Sequence, residues 1–266
     1  NTNFELRGDL YVLNEAGTGP KMYDGTESRL LPQLNIEWRK AFTLNNVLFQ
    51  PIVKYSGSPN SENFEKRIPN EDSKPYGISF ENIFSDNRFI GYDRQEFGNR
   101  ITYGFEALIF GHLSFGIAQG YRDNTKDDIE KLIGFEESVS DYVGYASYIL
   151  NDYFDIYYRF LADKDNLNFK KNEISLNFIS KILSLHLTYV GMDKNLIYSE
   201  RQNQISAGAL LTIYKKWKIA LSGIVDMEHD NRLLESKTSL MYDGDCALWE
   251  IAYRNYNPLT DTDRNT

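Results

Sequence analysis

The chain has 266 residues, a formal net charge of −9 and a mean hydropathy of −0.50. The negative charge disfavours nucleic acid as a ligand, because phosphate binding needs a concentrated basic surface that this sequence lacks. A transmembrane helix is excluded because no apolar run reaches about eighteen residues, whereas β-strands cross lipid with segments that are only half apolar.

Strict alternation of apolar and polar residues recurs along the chain and predicts half-buried strands. In the second predicted strand, Leu34, Ile36 and Trp38 lie opposite Asn35 and Glu37. The pattern predicts about thirteen strands of roughly ten residues, which is the length that a tilted strand needs to cross a bilayer. They lie around residues 4–12, 30–39, 101–109, 113–117, 154–160, 174–178, 183–189, 205–213, 217–225 and 247–253, with a less regular one at 139–150 and another that contains Pro51.

Two further features bear on these strands. Pro32 and Pro51 lie inside predicted strands and count against regular hydrogen-bond ladders there. The apolar parity of the strands is expected to face outward, and it carries Phe105, Ile109, Leu113, Phe115, Leu185, Leu187, Leu211 and Leu221.

Every second connection is short, and this asymmetry indicates how the sheet is arranged. Short turns are predicted near 44–46, 111–112, 151–152, 180–181, 214–215 and 243–245. Longer polar connections are predicted at 14–29, 57–97, 123–138, 163–168 and 193–200, with a shorter one at 229–231. Outer-membrane barrels combine short periplasmic turns with long outer loops. The sequence therefore predicts an all-β fold, an antiparallel up-and-down outer-membrane β-barrel in which residues 1–266 form a single barrel region with a long outer loop at 57–97.

The long loop has balanced charge and interleaved aromatic residues, a composition that favours a folded lid or plug over a disordered loop. Its charged residues are Glu71, Asp72, Asp86, Arg88, Asp93, Arg94, Glu96 and Arg100. Its aromatic residues are Phe80, Phe84, Phe89, Tyr92 and Phe97. We therefore expect residues 57–97 to pack over or into the barrel interior. The alternative is a solvated outer loop with local ion pairs, and no metal site is predicted because calcium-loop spacing is absent.

Three other functional classes fit parts of the pattern. A general porin or solute transporter would share the strands, and a soluble β-sandwich binding module would share the alternation. A hydrolase would need a base beside a nucleophile, and His186 shares a strand face with Ser184 and Thr188. Residues two apart on a strand lie roughly 7 Å apart, so the nucleophile is expected on a neighbouring strand. Because the usual nucleophile and phosphate-binding motifs are absent, no catalytic residue and no cofactor are predicted.

The segment from Ile68 to Tyr103 closely resembles the long loop and following strand of the LptD (organic solvent tolerance, OstA) family of LPS-assembly proteins. The resemblance is carried by Pro69, Asn70, Glu71, Asp72 and Ser73, by Asn87, Arg88 and Phe89, and by Gly91, Tyr92, Asp93 and Arg94. It implies transport of lipopolysaccharide into the outer leaflet of the Gram-negative outer membrane, without catalysis. The partners it implies are lipopolysaccharide, outer-membrane lipid, an LptE-like plug lipoprotein where one is present, and the periplasmic Lpt bridge.

The same resemblance implies that this chain is the C-terminal part of a larger barrel. We expect a signal peptide, a periplasmic jellyroll domain and the first barrel strands to lie outside it, so that the chain alone is not competent for transport. In the family, a cysteine near the position of Cys246 is bonded to the periplasmic domain, which implies a disulfide between Cys246 and an upstream cysteine. Asp245 stands where the family often has a second cysteine. An inert, small buried thiol is the alternative for Cys246.

Overall fold

The secondary structure consists of strands that follow one another through a single sheet. The computed structural model describes residues 2–16, 23–59, 77–89, 91, 93, 96–123, 133–194, 201–228, 230–244 and 246–257. None of these residues forms a helix that is long and apolar enough to cross a membrane.

Fourteen strands are present in the described ranges. They are β1 (Thr2–Ala16), β2 (Tyr23–Arg39), β3 (Phe42–Leu44), β4 (Val47–Ser58), β5 (Gly98–Ile109), β6 (Leu113–Arg122), β7 (Tyr142–Asn151), β8 (Phe154–Ala162), β9 (Phe169–Ile179), β10 (Leu183–Met192), β11 (Gln202–Tyr214), β12 (Trp217–Asp226), β13 (Arg232–Asp243) and β14 (Leu248–Tyr256).

Apart from the short β3, each strand is hydrogen-bonded to the strands before and after it in the sequence, which gives an up-and-down order. The path runs from β1 through β2 and β4 to β14, and the three-residue β3 pairs with β4 beside it. The β1–β2 and β9–β14 pairings are antiparallel. The predicted all-β, antiparallel up-and-down fold is therefore confirmed, and the thirteen strands of the main path match the expected number.

The chain divides into two compact units. The first unit comprises Asn1–Ala107, Gly116–Gly144 and Leu161–Asn168. The second unit comprises Leu108–Phe115, Tyr145–Phe160 and Phe169–Thr266.

Short and long connections alternate along the sheet as the sequence predicts. After β3, β5, β7, β9, β11 and β13 only two to four residues separate consecutive strands. Two residues also separate β2 from the short β3, and the other connections are longer. In the β5–β6 turn, Phe110 and Gly111 both have left-handed backbone conformations, with φ of 51° and 72°. This conformation at two successive residues is the one that matches a tight turn to the twist of two antiparallel strands.

Alternation also separates two faces of the strands. In β2, Leu34, Ile36 and Trp38 are exposed, whereas Gln33 and Asn35 are buried. Of the eight apolar residues expected to face outward, Leu113, Leu185, Leu187, Leu211 and Leu221 are exposed, and Phe105, Ile109 and Phe115 are half-buried.

The two strand prolines lie where a ladder is interrupted on one side. Pro51 falls between the β4 residues that pair with β3 and those that pair with β2, which begin at Ile52. Pro32 pairs with Leu6 of β1, and β2 pairs with β4 only from Leu34 onward. A residue without an N–H group is tolerated at such positions, so the strands continue through both prolines.

Candidate functional site

Buried polar side chains line one face of four successive strands of the first unit. This polar face consists of Gln33 and Asn35 of β2, Lys54 and Ser56 of β4, Arg100 and Thr102 of β5, and Arg122 of β6. All seven are less than 9% exposed. Buried polar groups are costly unless they are hydrogen-bonded, so this face requires a covering layer that supplies partners.

The covering layer is the segment that precedes β5, here called the covering segment and defined as the described residues of 77–97. Its apolar side chains are buried, namely Ile78, Phe80, Ile83, Phe84, Phe89 and Phe97. A local turn shapes its first part, because the Asn82 side chain accepts from the Ser79 N–H at 2.8 Å and donates to the Gly77 carbonyl at 2.9 Å. This part of the long loop is folded, as its aromatic content predicts, whereas residues 60–76 lie outside the described ranges.

Asp86 of the covering segment is held by side chains from three neighbouring strands. The amide nitrogen of Gln33 donates to the Asp86 carbonyl at 2.9 Å, and Arg100 donates to the same oxygen. The Lys54 ammonium pairs with the Asp86 carboxylate and also donates to the Phe84 carbonyl. One loop residue therefore receives hydrogen bonds from β2, β4 and β5.

A buried ion triad lies at the end of the covering segment. The Arg88 Nε atom donates to both carboxylate oxygens of Glu96, at 2.9 and 2.8 Å, and Arg100 pairs with the same carboxylate. The side chains of Arg88 and Glu96 are 1% and 0% exposed. Burial lowers the pKa of the Arg88 guanidinium to about 9, which leaves it charged at neutral pH. The shared carboxylate compensates part of the cost of burying these cations.

Residues 133–141 pack against the covering segment from another side. The Phe135 ring has the guanidinium carbons of Arg88 and Arg122 at 4.5 and 4.8 Å from its centroid, within the range of cation–π contacts. Gly134 has φ of +86°, and a Cβ atom there would lie 2.7 Å from Leu161 and 2.8 Å from Ile78. A side chain at this position would therefore meet both backbone strain and a steric clash.

Asp93 fixes a second point of the covering segment. Its carbonyl accepts from Arg29 of β2 at 2.5 Å, and its carboxylate accepts from the Tyr11 hydroxyl at 3.3 Å. Arg29 also donates to the Tyr11 oxygen at 2.8 Å and to Asp9 at 2.7 Å. Asp86, Asp93 and Glu96 thus meet partners on β1, β2, β4 and β5.

The strand order and this loop packing occur in a chain whose sequence matches a known family. A family model described as LptD, LPS transport system D, matches residues 1–217. The chain belongs to the LptD family. Two relatives are LPS-assembly proteins LptD from Psychrobacter arcticus, 27% identical over 91% of this chain, and from Psychrobacter cryohalolentis, 25% identical over 91%. The matched regions cover 29% and 26% of those LptD proteins, so the chain spans less than a third of their length.

Two variants of a bacterial porin are among the solved structures that align with this chain. A triple mutant of Rhodopseudomonas blastica porin is 9% identical, with 96% of this chain and 95% of that chain covered and a TM-score of 0.40. A second variant of the same porin is 11% identical, with the same coverage and TM-score.

The LptD-like loop motif falls partly on the covering segment. Asn87 accepts from the N–H groups of Phe89 and Glu96, at 3.3 and 3.2 Å, so it orders the loop on both sides of Arg88. Gly91 adopts φ of 99°, in the region that favours glycine. The buried Arg88, Phe89 and Asp93 complete the described part of the motif. The remaining motif residues, Pro69, Asn70, Glu71, Asp72, Ser73, Tyr92 and Arg94, lie outside the described residues.

The sequence alone does not identify the ionic and hydrogen-bond contacts that hold the covering segment on the polar face. Asp86, Glu96 and Arg100 entered only through the charge balance of the loop, and Gln33 and Lys54 were not singled out. Parity places Lys54 on the polar face, but no local pattern indicates a partner 32 residues later in the chain.

The expected separation of His186 from its strand neighbours is wrong. Thr188 Oγ1 lies 2.8 Å from His186 Nε2, because the imidazole ring reaches along the strand, and His186 Nδ1 lies 2.5 Å from Asn177 Oδ1. Thr188 is 9% exposed and also contacts Ser175 at 2.9 Å. These contacts connect polar side chains of β9 and β10 on one face of the sheet.

Two other expectations concern metals and the cysteine. In the described part of the chain, no group of three or more histidine, cysteine or acidic side chains is arranged to hold a metal ion. Cys246 is exposed and free, just before β14 and next to a short turn, and the inert-thiol alternative stays a prediction. Its pairing with an upstream cysteine stays a prediction.

Proposed function

We propose that this chain forms part of the wall of an outer-membrane β-barrel that transports lipopolysaccharide and assembles it into the outer leaflet of a Gram-negative cell. Membership of the LptD family and the name of its relatives, LPS-assembly proteins, support this function. The proposed role is physical translocation without a chemical step, so it requires no catalytic residue and no cofactor.

The observation that carries the proposal is the separation of two faces in strands long enough to cross a bilayer. Leu34, Ile36 and Trp38 present apolar surface outward, whereas Gln33 and Lys54 belong to the buried polar face. Lipid solvates the first kind of surface, and a passage for sugar and phosphate groups needs the second. The acyl chains would leave sideways through a separable seam between strands.

The covering segment acts in this proposal as a plug on the polar face. Residues 1–266 form one barrel region, and the outer loop at 57–97 supplies the plug. Asp86, Asp93 and Glu96 hold it to β2, β4 and β5 through charged and neutral hydrogen bonds. Passage of a large amphiphile along the polar face would require this segment to move. Its ion pairs with the strands would therefore break and re-form each time a lipid molecule passes.

The proposed assembly contains further parts. An LptE-like plug lipoprotein would enter the complete barrel, and the periplasmic Lpt bridge would deliver lipid through an upstream domain. A disulfide from Cys246 to that domain would hold its exit in register with the passage. The exposure of Cys246 beside a short turn supports this tether, because an accessible thiol in an oxidising periplasm usually finds a partner.

Depletion of the full-length protein in its native host tests the proposed function. We expect the fraction of newly made lipopolysaccharide that an antibody reaches on intact cells to fall, while the amount of an unrelated outer-membrane barrel stays constant. Unchanged surface lipopolysaccharide after depletion would show that the proposed function is wrong. Steady ion conductance by the purified protein in planar bilayers, together with unchanged surface lipopolysaccharide, would favour a porin instead.

A further inference from the structure

We infer that Gln33, Lys54 and Arg100 form a recognition site for a phosphate-bearing anion on the polar face, and that Asp86 of the covering segment occupies this site in the present structure. The site rests on the proposed function, because it identifies the chemical group through which the polar face would bind a phosphorylated glycolipid.

Three donor side chains converge on Asp86 from three successive strands. Gln33 and Arg100 both donate to the Asp86 carbonyl, and Lys54 pairs with its carboxylate. Gln33, Lys54 and Arg100 are 2%, 7% and 5% exposed, so their donor atoms have little access to water. The strands hold the donors in place, whereas the acceptor is brought by a loop that lies more than 30 residues from Lys54 in the sequence.

These donors require an oxygen-rich partner at all times. Lys and Arg side chains have only donors, and a buried donor left without an acceptor costs about 1–3 kcal/mol, more when it is charged. When the covering segment leaves, water or another acceptor must therefore replace Asp86. A phosphate group carries several anionic oxygens on one centre and forms charge-assisted bonds with Arg and Lys, so it replaces both the carbonyl and the carboxylate of Asp86.

Charge balance favours an anion over a neutral sugar as the replacement. Glu96 lies two residues before β5, so it stays beside Arg100 when the earlier part of the covering segment moves. Removal of Asp86 leaves Lys54 without its carboxylate partner. Sugar hydroxyl groups would satisfy the hydrogen bonds of Lys54 but would not compensate its buried charge, whereas a phosphate does both.

Binding by variants of the full-length protein in detergent micelles tests the site. Asp86→Asn removes the internal anion, Lys54→Gln removes the wall cation and Lys54→Arg keeps its charge. Matched controls are Asp165→Asn and Lys164→Gln, which make the same charge changes in the turn between β8 and β9, where these two side chains pair at 2.6 Å. The probes are lipid A with its phosphates, the same lipid after enzymatic dephosphorylation, and inorganic pyrophosphate.

We expect Asp86→Asn to bind phosphorylated lipid A about tenfold more tightly than the wild type, and Lys54→Gln about tenfold more weakly. Lys54→Arg should lie near the wild type, and both controls should leave affinity unchanged. Binding should also speed amide exchange at residues 84–89, because the anion displaces Asp86. Pyrophosphate following the same pattern assigns the site to phosphate in general, whereas a response to phosphorylated lipid A alone assigns it to a lipid headgroup.

The site would be overturned if the wild type bound dephosphorylated and phosphorylated lipid A with equal affinity. It would also be overturned if neither Asp86→Asn nor Lys54→Gln changed the affinity for phosphorylated lipid A. If Lys54→Gln does not fold, the affinity of Asp86→Asn for phosphorylated lipid A and the amide exchange at residues 84–89 still test the site. Failure of the proposed function is seen separately, as surface lipopolysaccharide that persists after depletion of the protein. A third result is also distinguishable: surface lipopolysaccharide depends on the protein, but these substitutions do not change the binding affinity. That result would rule out the phosphate site and leave the proposed transport function unaffected.

Discussion

Arginine substitutions at two adjacent residues in the middle of β12 should have very different costs. Leu221 is 50% exposed on the apolar face and pairs with Ala209 and Thr238, whereas Ser222 is exposed on the opposite face and pairs with Gly208 and Lys237. The two positions are consecutive and both are solvent-accessible in the isolated chain. Only the medium that each side chain meets in a membrane distinguishes them.

The expected magnitudes follow from those surroundings. An arginine at the lipid-facing Leu221 should lower the free energy of unfolding by about 2–4 kcal/mol near the bilayer midplane. An arginine at Ser222 would lie opposite Lys237, a like-charge contact worth about 0.2–1 kcal/mol. Glu250 already pairs with Lys237 at 2.7 Å and reduces this repulsion.

Urea unfolding of the full-length protein in phosphatidylcholine vesicles measures both costs, with Leu221→Ala as the reference for lost side-chain volume. Thr188 is a poor polar-face control, although alternation places it there, because it is buried and hydrogen-bonded to Ser175 and His186. Equal costs at Leu221 and Ser222, or a larger cost at Ser222, would refute the assignment of the two faces.

Three further outcomes are expected in the full-length protein. Gly134→Val should loosen the covering segment, seen as faster amide exchange at Ile78, because the new side chain meets Ile78 and Leu161; unchanged exchange would contradict the packing. Glu96→Ala should lower the free energy of unfolding, measured in urea, by about 3–5 kcal/mol, because it leaves two buried guanidinium groups without their carboxylate. A loss below about 1 kcal/mol would instead match an exposed surface ion pair and would contradict the buried triad. Cys246→Ser should abolish a mobility shift on non-reducing gels, and a free Cys246 thiol in protein isolated from the outer membrane would rule out the tether.

The strand pattern could be predicted from the sequence because alternation is a local property with a period of two. Ile219, Leu221 and Gly223 share one parity, and the β11–β12 and β12–β13 registers keep that parity on one face across all three strands. Turn positions follow for the same reason, since they are the places where alternation stops. What local patterns do not contain is register irregularity, such as the shift between Leu13 and Ala16 in β1.

The site could be predicted only in its composition. Balanced charge and aromatic content indicated a folded loop, and Arg88, Glu96 and Arg100 lie close enough in sequence to be read as one charged group. The contact of Asp86 with Gln33 and Lys54 depends on which strands the loop crosses, which is a property of the tertiary fold. The geometric estimate for His186 failed because it used the spacing of backbone positions and ignored the length and direction of the side chain.

The contacts of the covering segment differ in how far they reach along the chain, and this difference determines which of them can be released. Glu96 pairs with Arg100 four residues later, and Gly98 between them has φ of +84°, so this ion pair bridges the junction between segment and strand. Asp86 contacts side chains of three strands, two of which precede it by more than 30 residues. A local pair survives movement of the segment because its partners stay tethered, whereas the contacts of Asp86 must break together. In the proposed movement, the end of the segment at β5 therefore stays in place, and the part that is released is the middle, which covers Lys54 and Gln33.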